Sequence, residues 1–371
     1  YQEKLKYPVV YHTGVESPTG FAIAAKNYIA ALLRANVKVY YSHLSSIPEA
    51  EPLTDDGLVN DAREVIPSMD LPQIIWGQAP LFFKNSGKYK IGHCEFEGMI
   101  IPSSWVPYCN MMHEVWTPTE WDKKKLQDAG VSVPIFTIPQ GIDPDYFHPN
   151  MAPMKTDAKE KFKFICNATW EPRKNLRQLI QDFTSEFSRN EDVCLIVKTM
   201  SSALSQPVKN EVEAIKAPRE AAKVYIREDI LPPEQIGCFY TMGSCFVLPT
   251  HGEGWGLPLF EALACGIPAI TTGYGAPNEV LRDDKGEPLP GVHFVDLEEG
   301  EAKTPYVYMD GNRWAMPKLD DLQKKMRFVF ENYKEEKKKA MATSELIRQK
   351  FSWDACAVPI IERLKNIYEN N

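Results

Sequence analysis

The chain has 371 residues, of which 44% are apolar and 25% charged, an ordinary globular composition. At this length we expect two domains, each large enough to bury a core. The formal net charge of -8 argues against a nucleic-acid partner, which needs a basic face. No apolar run approaches the roughly 20 residues that cross a bilayer, so we expect no transmembrane segment.

Eight cysteines occur without CxxC pairs. Several lie in apolar segments, where a free thiol acts as a small hydrophobe. This pattern indicates a reducing compartment and predicts a cytoplasmic location. Two lysine runs, at 123–125 and 337–339, are interpreted mainly as solvated helix faces. Peripheral contact with anionic lipid, or with an acidic acceptor, stays open.

The first half of the chain alternates strands and helices. Short apolar runs with β-branched or aromatic residues predict strands at 8–11, 37–41 and 73–76. The four-residue spacing of Ala24, Tyr28 and Leu32 predicts a helix over 21–33. A strand, a helix and a strand in this order predict a parallel sheet with right-handed crossovers.

The second half repeats this alternation. Strands are predicted at 163–167, 193–198, 244–248 and 269–272, and helices at 176–187, 258–265 and from 319 onward with a break near 351–353. Two prolines mark a linker at 147–156. We therefore predict an α/β fold of two doubly wound, Rossmann-like domains, 1–150 and 151–350, with a terminal helix, 351–371, that returns to the first. Such sheets bind ligands at the carboxyl ends of their strands, so we expect both domains to face a central cleft.

The segment from 249 to 266 is the most informative. A strand ends at Leu248, a turn with three glycines follows, and Pro258 is suited to the first turn of a helix. Free amides at a helix start bind anions, and a diphosphate fits them. We expect the free amides of Gly256, Leu257 and Leu259 to point into the cleft, and Gly254 to bring the backbone close to the ligand.

Two glutamates flank this helix start. The carboxylate of Glu261 is suited to accept hydrogen bonds from two vicinal hydroxyls, as proteins hold a ribose. Glu253, in the loop, is placed to reach hydroxyls of a sugar attached to the diphosphate. The alternative is an ordinary capping loop with a solvated helix. Three glycines, Trp255 and Pro258 in fixed order count against it.

Glu253 and Glu261 match the E-x7-E motif of the retaining glycosyltransferases of family 4, which have the two-domain GT-B fold. The resemblance covers nearly the whole chain. It is carried by that motif and by three further segments, Pro139-Gln140-Gly141-Ile142-Asp143, Ala168-Thr169-Trp170-Glu171-Pro172-Arg173-Lys174-Asn175 and Phe351-Ser352-Trp353. It implies a GT-B architecture and an enzyme that uses a nucleotide sugar.

The resemblance also assigns the phosphate contacts. Lys174 falls on the family's lysine, and a cation there stabilises the charge that develops on a departing diphosphate. Many members have an arginine where this chain has Thr169, and Arg173 is a candidate substitute. Lys174 and Arg173 are thus candidate catalytic residues, and Thr169 is a candidate for donor binding. The alternative is a surface Arg-Lys pair at a helix start.

The first domain offers further candidates. Gly14 and Gly20 do not form GxGxxG, which excludes a dinucleotide fingerprint. They resemble the family's loop over the donor phosphate and acceptor, although an ordinary strand-to-helix turn looks much the same. The resemblance makes His93 a candidate for contact with the transferred sugar. Glu97 is a candidate for contact with the sugar or the acceptor, and Thr119 is a further site candidate. A lone histidine is more often structural.

Taken together, the resemblance implies a retaining enzyme that transfers a hexose from a nucleoside diphosphate sugar to an acceptor hydroxyl. The strings around 171–175 and 251–258 resemble mannosyltransferase-like members, so the leading donor is GDP-mannose. The acceptor class is a glycan, glycolipid or glycoprotein. We expect no bound cofactor and no metal, because protein cations take the metal's place. A UDP-sugar-dependent enzyme, a sugar-nucleotide epimerase, a phosphorylase-like enzyme and a noncatalytic sugar-nucleotide-binding module stay open as alternatives.

Overall fold

The computed structural model of the chain describes residues 5–15, 19–44, 57–62, 68–200, 207–215, 218 and 220–370. It divides into two compact units. The first unit comprises Tyr1–Phe96, Ile100–Gly141 and Lys350–Asn371, and the second comprises Glu97–Met99 and Ile142–Gln349. The chain is thus an α/β protein, and each unit has its own sheet.

The first unit is built on a parallel sheet. Its strands are β1 (Lys6–Thr13), β2 (Val37–His43), β3 (Pro72–Trp76), β4 (Tyr89–His93), β5 (Glu114–Thr117) and β6 (Ile135–Thr137), in the order β2-β1-β3-β4-β5-β6. Every neighbouring pair is parallel. Its helices are α1 (Gly20–Arg34), α2 (Gly57–Asp61), α3 (Val106–Asn110), α4 (Glu120–Ala129) and the C-terminal helix (Trp353–Asn370). Two short 3-10 helices, Ala79–Lys84 and Ser103–Trp105, complete it.

Helix α1 shows how the sequence pattern produces this packing. The side chain of Thr19 caps the helix by accepting a hydrogen bond from the amide of Ala22. Ala24, Tyr28 and Leu32 are all buried, as their spacing predicts. The Tyr28 hydroxyl donates to the carbonyl of Pro139 at 2.7 Å, so its polar end is satisfied although the ring is buried.

The second unit has a second parallel sheet. Its strands are β7 (Phe162–Asn167), β8 (Val193–Lys198), β9 (Lys223–Arg227), β10 (Cys245–Leu248), β11 (Ala269–Thr272) and β12 (Val292–Val295), in the order β12-β11-β10-β7-β8-β9. Neighbours are again parallel. Its helices are α5 (Leu176–Glu186), α6 (Val208–Glu213), α7 (Pro233–Met242), α8 (Leu257–Ala264), α9 (Gly275–Val280), α10 (Leu319–Glu331) and α11 (Tyr333–Lys350). Short 3-10 helices lie at Pro172–Lys174 and Val307–Met309.

An antiparallel hairpin of β13 (Leu297–Glu301) and β14 (Arg313–Pro317) follows the second sheet. The sequence did not predict it. Its first strand reads LEEGE and is largely exposed, so it lacks the apolar run that marks a strand. The break between α10 and α11 at Asn332 was also missed, since neither Gly nor Pro marks it.

The strand order of the second unit determines where the loops after β7 and β10 lie. Consecutive strands run outward in opposite directions from the adjacent pair β7 and β10. The loops after these two strands therefore emerge side by side at the carboxyl edge of the sheet, where doubly wound sheets bind ligands. None of the helices in the described part of the chain is long and apolar enough to cross a membrane.

Candidate active site

The loop after β10 leads directly into α8, as the sequence predicts. Gly256 precedes the helix with φ 97°, a left-handed conformation that glycine adopts readily. Pro258 stands in the first turn, where its missing amide hydrogen costs nothing. The helix has an apolar body, and its buried residues include Leu257. The backbone thus turns sharply and presents the start of a helix at the sheet edge.

One of the three amides expected to be free is not. The amide of Leu259 donates to the carbonyl of Gly256 at 2.9 Å, because the first turn tightens to an i to i+3 bond. The expectation for Leu259 was therefore wrong. The amide of Leu257 has no intrahelical acceptor, as holds for the first residues of any helix. Gly254 lies in a buried bend of the same loop.

The loop after β7 is joined to the loop after β10. The amide of His251 donates to the carbonyl of Arg173 at 2.8 Å, and the hydroxyl of Thr250 donates to the same carbonyl at 3.2 Å. The side chain of Asn175, which has φ 59°, donates to the carbonyl of Pro249 at 3.1 Å. These bonds fix the two loops side by side. The cations of one loop and the carboxylate of the other consequently meet.

Lys174 and Glu253 form a buried ion pair across these loops. The Lys174 Nζ donates to both carboxylate oxygens, at 2.8 and 2.9 Å. The side chains are 11% and 6% exposed. Burial opposes ionisation of Glu253, but the charges of Lys174 and Arg173 outweigh it and lower its pKa. Glu253 is therefore ionised at neutral pH.

Arg173 is half-buried and bonded to the loops around it. Its Nη1 donates to the carbonyl of Gly252 at 2.7 Å, and its Nη2 donates to Glu171 at 2.9 Å. Carboxylate oxygens of Glu97 and Glu253 each lie 3.5 Å from the guanidinium. Burial disfavours the charge, yet Glu97, Glu253 and Glu171 raise the pKa of Arg173 above its ordinary value. Both terminal nitrogens of Arg173 thus donate to groups of the protein.

The two cations and the carboxylates that contact them form an ion cluster with a small net negative charge. Arg173 and Lys174 contribute two positive charges, and Glu97, Glu171 and Glu253 contribute three negative charges, which leaves one negative charge in excess. An anionic ligand here needs the amides of the helix start in addition to the two cations. The helix start and the ion cluster therefore have to act together.

Glu261 lies in a separate buried network. Its carboxylate accepts a hydrogen bond from the Tyr240 hydroxyl at 2.8 Å, and that hydroxyl accepts one from the Asn167 side chain at 3.0 Å. Burial raises the pKa of Glu261 to about 7, although Tyr240 and the charge of Lys198 act to lower it. The carboxylate expected to hold a ribose is thus poised between its two protonation states. Sequence reasoning missed Tyr240 and Asn167 because nothing marks either residue as a partner of Glu261.

The β13–β14 hairpin contacts the loop after β10. The His251 ring lies stacked on Trp314 with centroids 4.5 Å apart, and His251 Nδ1 lies 2.6 Å from the carbonyl oxygen of Ala315. The Tyr306 hydroxyl donates to Glu171 at 3.1 Å. Burial lowers the pKa of His251, so the ring is neutral near pH 7. The hairpin therefore supports the loop that carries Glu253.

His93, a further predicted site residue, belongs to the first unit. His93 ends β4, is fully buried, and has no hydrogen-bond partner for either ring nitrogen in the described part of the chain. Trp76 and Tyr28 surround it, with ring centroids at 4.3 and 5.5 Å. Burial lowers the pKa of His93 to about 3, so it is neutral. The ring of His93 therefore packs in the core of the first unit, and its contact with a sugar stays a prediction.

The other candidates have these positions. Gly14 follows β1 and Gly20 begins α1, and the residues between them at 16–18 lie outside the described part. Thr169 is half-buried two residues after β7, and its carbonyl accepts from the amide of Glu171 at 2.9 Å. Thr119 caps α4 by accepting from the amide of Asp122 at 3.1 Å. Their roles in binding stay predictions.

Two parallel, doubly wound sheets define the class as an α/β protein of the GT-B type. The sucrose-phosphate synthase from Thermosynechococcus elongatus has the same fold, with TM-score 0.70 and 13% identity over 98% of this chain and 100% of that one. Residues 152–298 match the family described as Glycosyl transferases group 1. The predicted resemblance to a glycosyltransferase family is therefore confirmed: residues 152–298 match that family, and the fold of the chain is similar to that of a sucrose-phosphate synthase.

Curated relatives match over shorter stretches. A probable sucrose-phosphate synthase from Thermosipho melanesiensis is 25% identical over 168 residues, which cover 43% of this chain and 37% of that protein. A GDP-mannose-dependent alpha-(1-6)-phosphatidylinositol monomannoside mannosyltransferase from Mycolicibacterium smegmatis is 24% identical over 208 residues, 50% of this chain and 53% of that one. The chain thus spans about a third to a half of these two relatives.

Proposed function

We propose that this chain is a retaining glycosyltransferase that moves a hexose from a nucleoside diphosphate sugar to an acceptor hydroxyl. The observation that carries the proposal is the Lys174–Glu253 ion pair, set beside the start of α8 where the loops after β7 and β10 meet. This place in a doubly wound sheet suits a diphosphate, and the cation and the helix start supply its counter-charge.

Each group of the site has a part in this proposal. Glu261 accepts hydrogen bonds from the ribose hydroxyls, and Gly254, Gly256 and Leu257 bring the backbone to the diphosphate. Lys174 has three hydrogens and gives two to Glu253, so one is left for a phosphate oxygen. That bond strengthens as negative charge develops on the departing diphosphate. Thr169 adjoins the same strand end.

Glu253 and Arg173 take different parts. Glu253 is ionised and held by Lys174, and it orients the transferred sugar by accepting from its hydroxyls. Because both terminal nitrogens of Arg173 donate within the protein, to Gly252 and Glu171, we propose that it holds the loop and balances charge. The chemistry proposed here needs no metal or bound cofactor, since Lys174 and the helix start supply the positive charge.

The leading donor is GDP-mannose, which the similarity to a GDP-mannose-dependent mannosyltransferase favours. A UDP-sugar is the second candidate, because sucrose-phosphate synthase also matches the chain. The acceptor we propose is a hydroxyl of a glycan, glycolipid or glycoprotein, with peripheral contact to a membrane in the glycolipid case. The eight cysteines are free, which favours a reducing compartment such as the cytoplasm.

The first experiment is thermal stabilisation of the full chain by GDP, UDP, ADP and NAD. A nucleotide at 100 times its dissociation constant stabilises the folded chain by about 2.7 kcal/mol. We expect one nucleoside diphosphate to do so, and we expect Glu261→Ala to abolish the effect. Glu253→Ala should leave nucleotide affinity nearly unchanged.

Turnover is tested with the matching nucleotide sugar and a panel of acceptor hydroxyls, with the anomeric configuration of the product read by NMR. Glu253→Ala should lower kcat by about a hundredfold, since it removes contacts to the sugar in the transition state. Inversion of configuration would overturn the retaining mechanism. Nucleotide binding without turnover on any acceptor would favour a noncatalytic module, and no binding at all would overturn the proposal.

A further inference from the structure

Asn167, Tyr240 and Glu261 form a chain of hydrogen bonds from three different elements. Asn167 ends β7, Tyr240 lies on α7 and Glu261 lies on α8. The Asn167 amide donates to the Tyr240 hydroxyl at 3.0 Å, and that hydroxyl donates to Glu261 Oε2 at 2.8 Å. Tyr240 is fully buried and Glu261 is 8% exposed. Because water has little access, these bonds decide how the carboxylate is oriented.

We propose that Tyr240, held by Asn167, is a positioning residue that aims the Glu261 carboxylate at the ribose hydroxyls of a nucleoside diphosphate. The inference rests on the proposed function, because it assumes that this site takes a nucleotide. Tyr240 itself makes no contact with the ligand in this proposal. It acts through Glu261.

The direction of each bond follows from the chemistry of the groups. A phenol has a single hydrogen, and the Asn167 amide already donates to the phenol oxygen. The hydrogen of Tyr240 therefore points at Glu261. Burial, and then the nearby charge of Glu261, raise the pKa of Tyr240 well above its ordinary value, so it stays a donor at any physiological pH. The bond occupies Oε2 and leaves Oε1 for a ribose hydroxyl.

The charged surroundings of Glu261 come from several elements. Lys198 ends β8 and its charge favours the ionised carboxylate, as does the Tyr240 bond from α7. Cys265, just after α8, is a buried thiol whose pKa is raised by burial and then by Glu261, so it is neutral. Tyr240 and Lys198 are thus the groups that oppose the effect of burial on Glu261. Removing the Tyr240 hydroxyl shifts the balance toward the protonated acid.

The experiment compares wild type with Tyr240→Phe, which removes one hydroxyl and keeps the ring. The probe is GDP or UDP, whichever binds wild type more tightly, together with its 2′,3′-dideoxy analogue. Dissociation constants are measured by calorimetry from pH 6 to 9. The matched control is Tyr225→Phe, since Tyr225 also donates to a carboxylate, that of Glu160, at 3.2 Å.

We expect Tyr240→Phe to weaken binding of the ribonucleotide by about tenfold at pH 7, as for loss of a hydrogen bond to a charged group. Binding of the dideoxy analogue should be unchanged. The pH below which ribonucleotide binding declines should move upward. In a Glu261→Gln background Tyr240→Phe should have little further effect, because the two residues act as one unit. Tyr225→Phe should bind as wild type.

The outcomes separate this inference from the proposed function. If wild type prefers the ribonucleotide through Glu261, and Tyr240→Phe keeps that preference and pH profile, the positioning role is wrong and the donor site stands. Equal loss for both nucleotides would also overturn it, since that indicates general damage to the fold. If wild type binds neither GDP nor UDP, the proposed function fails first. Should Tyr240→Phe not fold, Asn167→Ala tests the same chain of bonds with the same ligand pair.

Discussion

Lys174 and Glu253 meet where little water is available to either charge. Removing one partner of such a pair leaves the charge of the other buried without an opposite charge beside it. We expect Lys174→Met to lower the free energy of unfolding by about 3 kcal/mol at pH 7, and the double variant with Glu253→Leu to recover a large part. Urea denaturation measures both. Lys124→Met is the control, because its pair with Asp128 is exposed and should contribute no more than about 0.5 kcal/mol.

The protonation of Glu261 links function to stability. Its pKa in the folded chain, about 7, lies above the ordinary value of 4.5, so the folded state binds the proton more tightly than the unfolded state. Its ionisation therefore destabilises the fold above pH 7, and the penalty disappears as the pH falls toward 4.5.

We accordingly expect Glu261→Gln to stabilise the ligand-free chain by on the order of 3 kcal/mol at pH 8 and by less than about 1 kcal/mol near pH 5. Chemical denaturation at a series of pH values measures this. Glu287→Gln, at an exposed position, should show no such trend. A gain for Glu261→Gln that is the same at every pH would contradict the explanation.

At the scale of elements, the turn into α8 depends on the conformation of Gly256. An alanine there meets nothing closer than 3.5 Å, yet φ 97° is strained for any residue with a Cβ. We expect Gly256→Ala to destabilise the fold by about 1–3 kcal/mol and to weaken nucleotide binding as the turn relaxes.

Gly286 provides a matched control, with φ 82° and no atom within 4 Å of an added Cβ. Gly286→Ala should carry a comparable backbone strain and leave nucleotide affinity intact. The measurements are thermal unfolding and nucleotide titration of both variants. Equal nucleotide affinity in the two variants would show that the turn at Gly256 does not shape the site.

At the scale of the whole molecule, the two units should respond to acid in opposite senses. In the second unit, ionised Glu261 lowers the free energy of unfolding, and this effect decreases as the pH falls. His93 in the first unit does the reverse, because its pKa is lowered from 6.5 to about 3 and the unfolded chain takes up the proton first. Its contribution is fully present above pH 6.5 and is lost as the pH falls toward 3.

We expect the first unit to lose about 2 kcal/mol between pH 7 and 5 through His93. His93→Phe should flatten that dependence, because a phenyl ring fits an aromatic environment and binds no proton. Hydrogen exchange resolved by peptide reports β3 and β4 separately from β7 and β10. His113→Gln, at an exposed position, is the control. An unchanged pH dependence in His93→Phe would mean that another group controls the acid response.

The sequence alone determined the alternation of strands and helices, because apolar runs and helical spacing are local properties of the chain. Strand β8 and strand β11 have the predicted bounds, and α1 differs by one residue at each end. The glycine-rich turn, Pro258 and the two glutamates also follow from local geometry. The family resemblance rests on these same short segments.

The tertiary structure decided which groups meet. That Lys174 reaches Glu253, and that Arg173 is engaged by three carboxylates, depends on strand order, which brings the loops after β7 and β10 together over 79 residues of separation. The bond from Tyr240 to Glu261, the hairpin attached at His251 and the bond that engages the Leu259 amide were beyond sequence reasoning for the same reason. Charge, burial and hydrogen bonding at a site are properties of neighbours in space, and a local pattern specifies only neighbours along the chain.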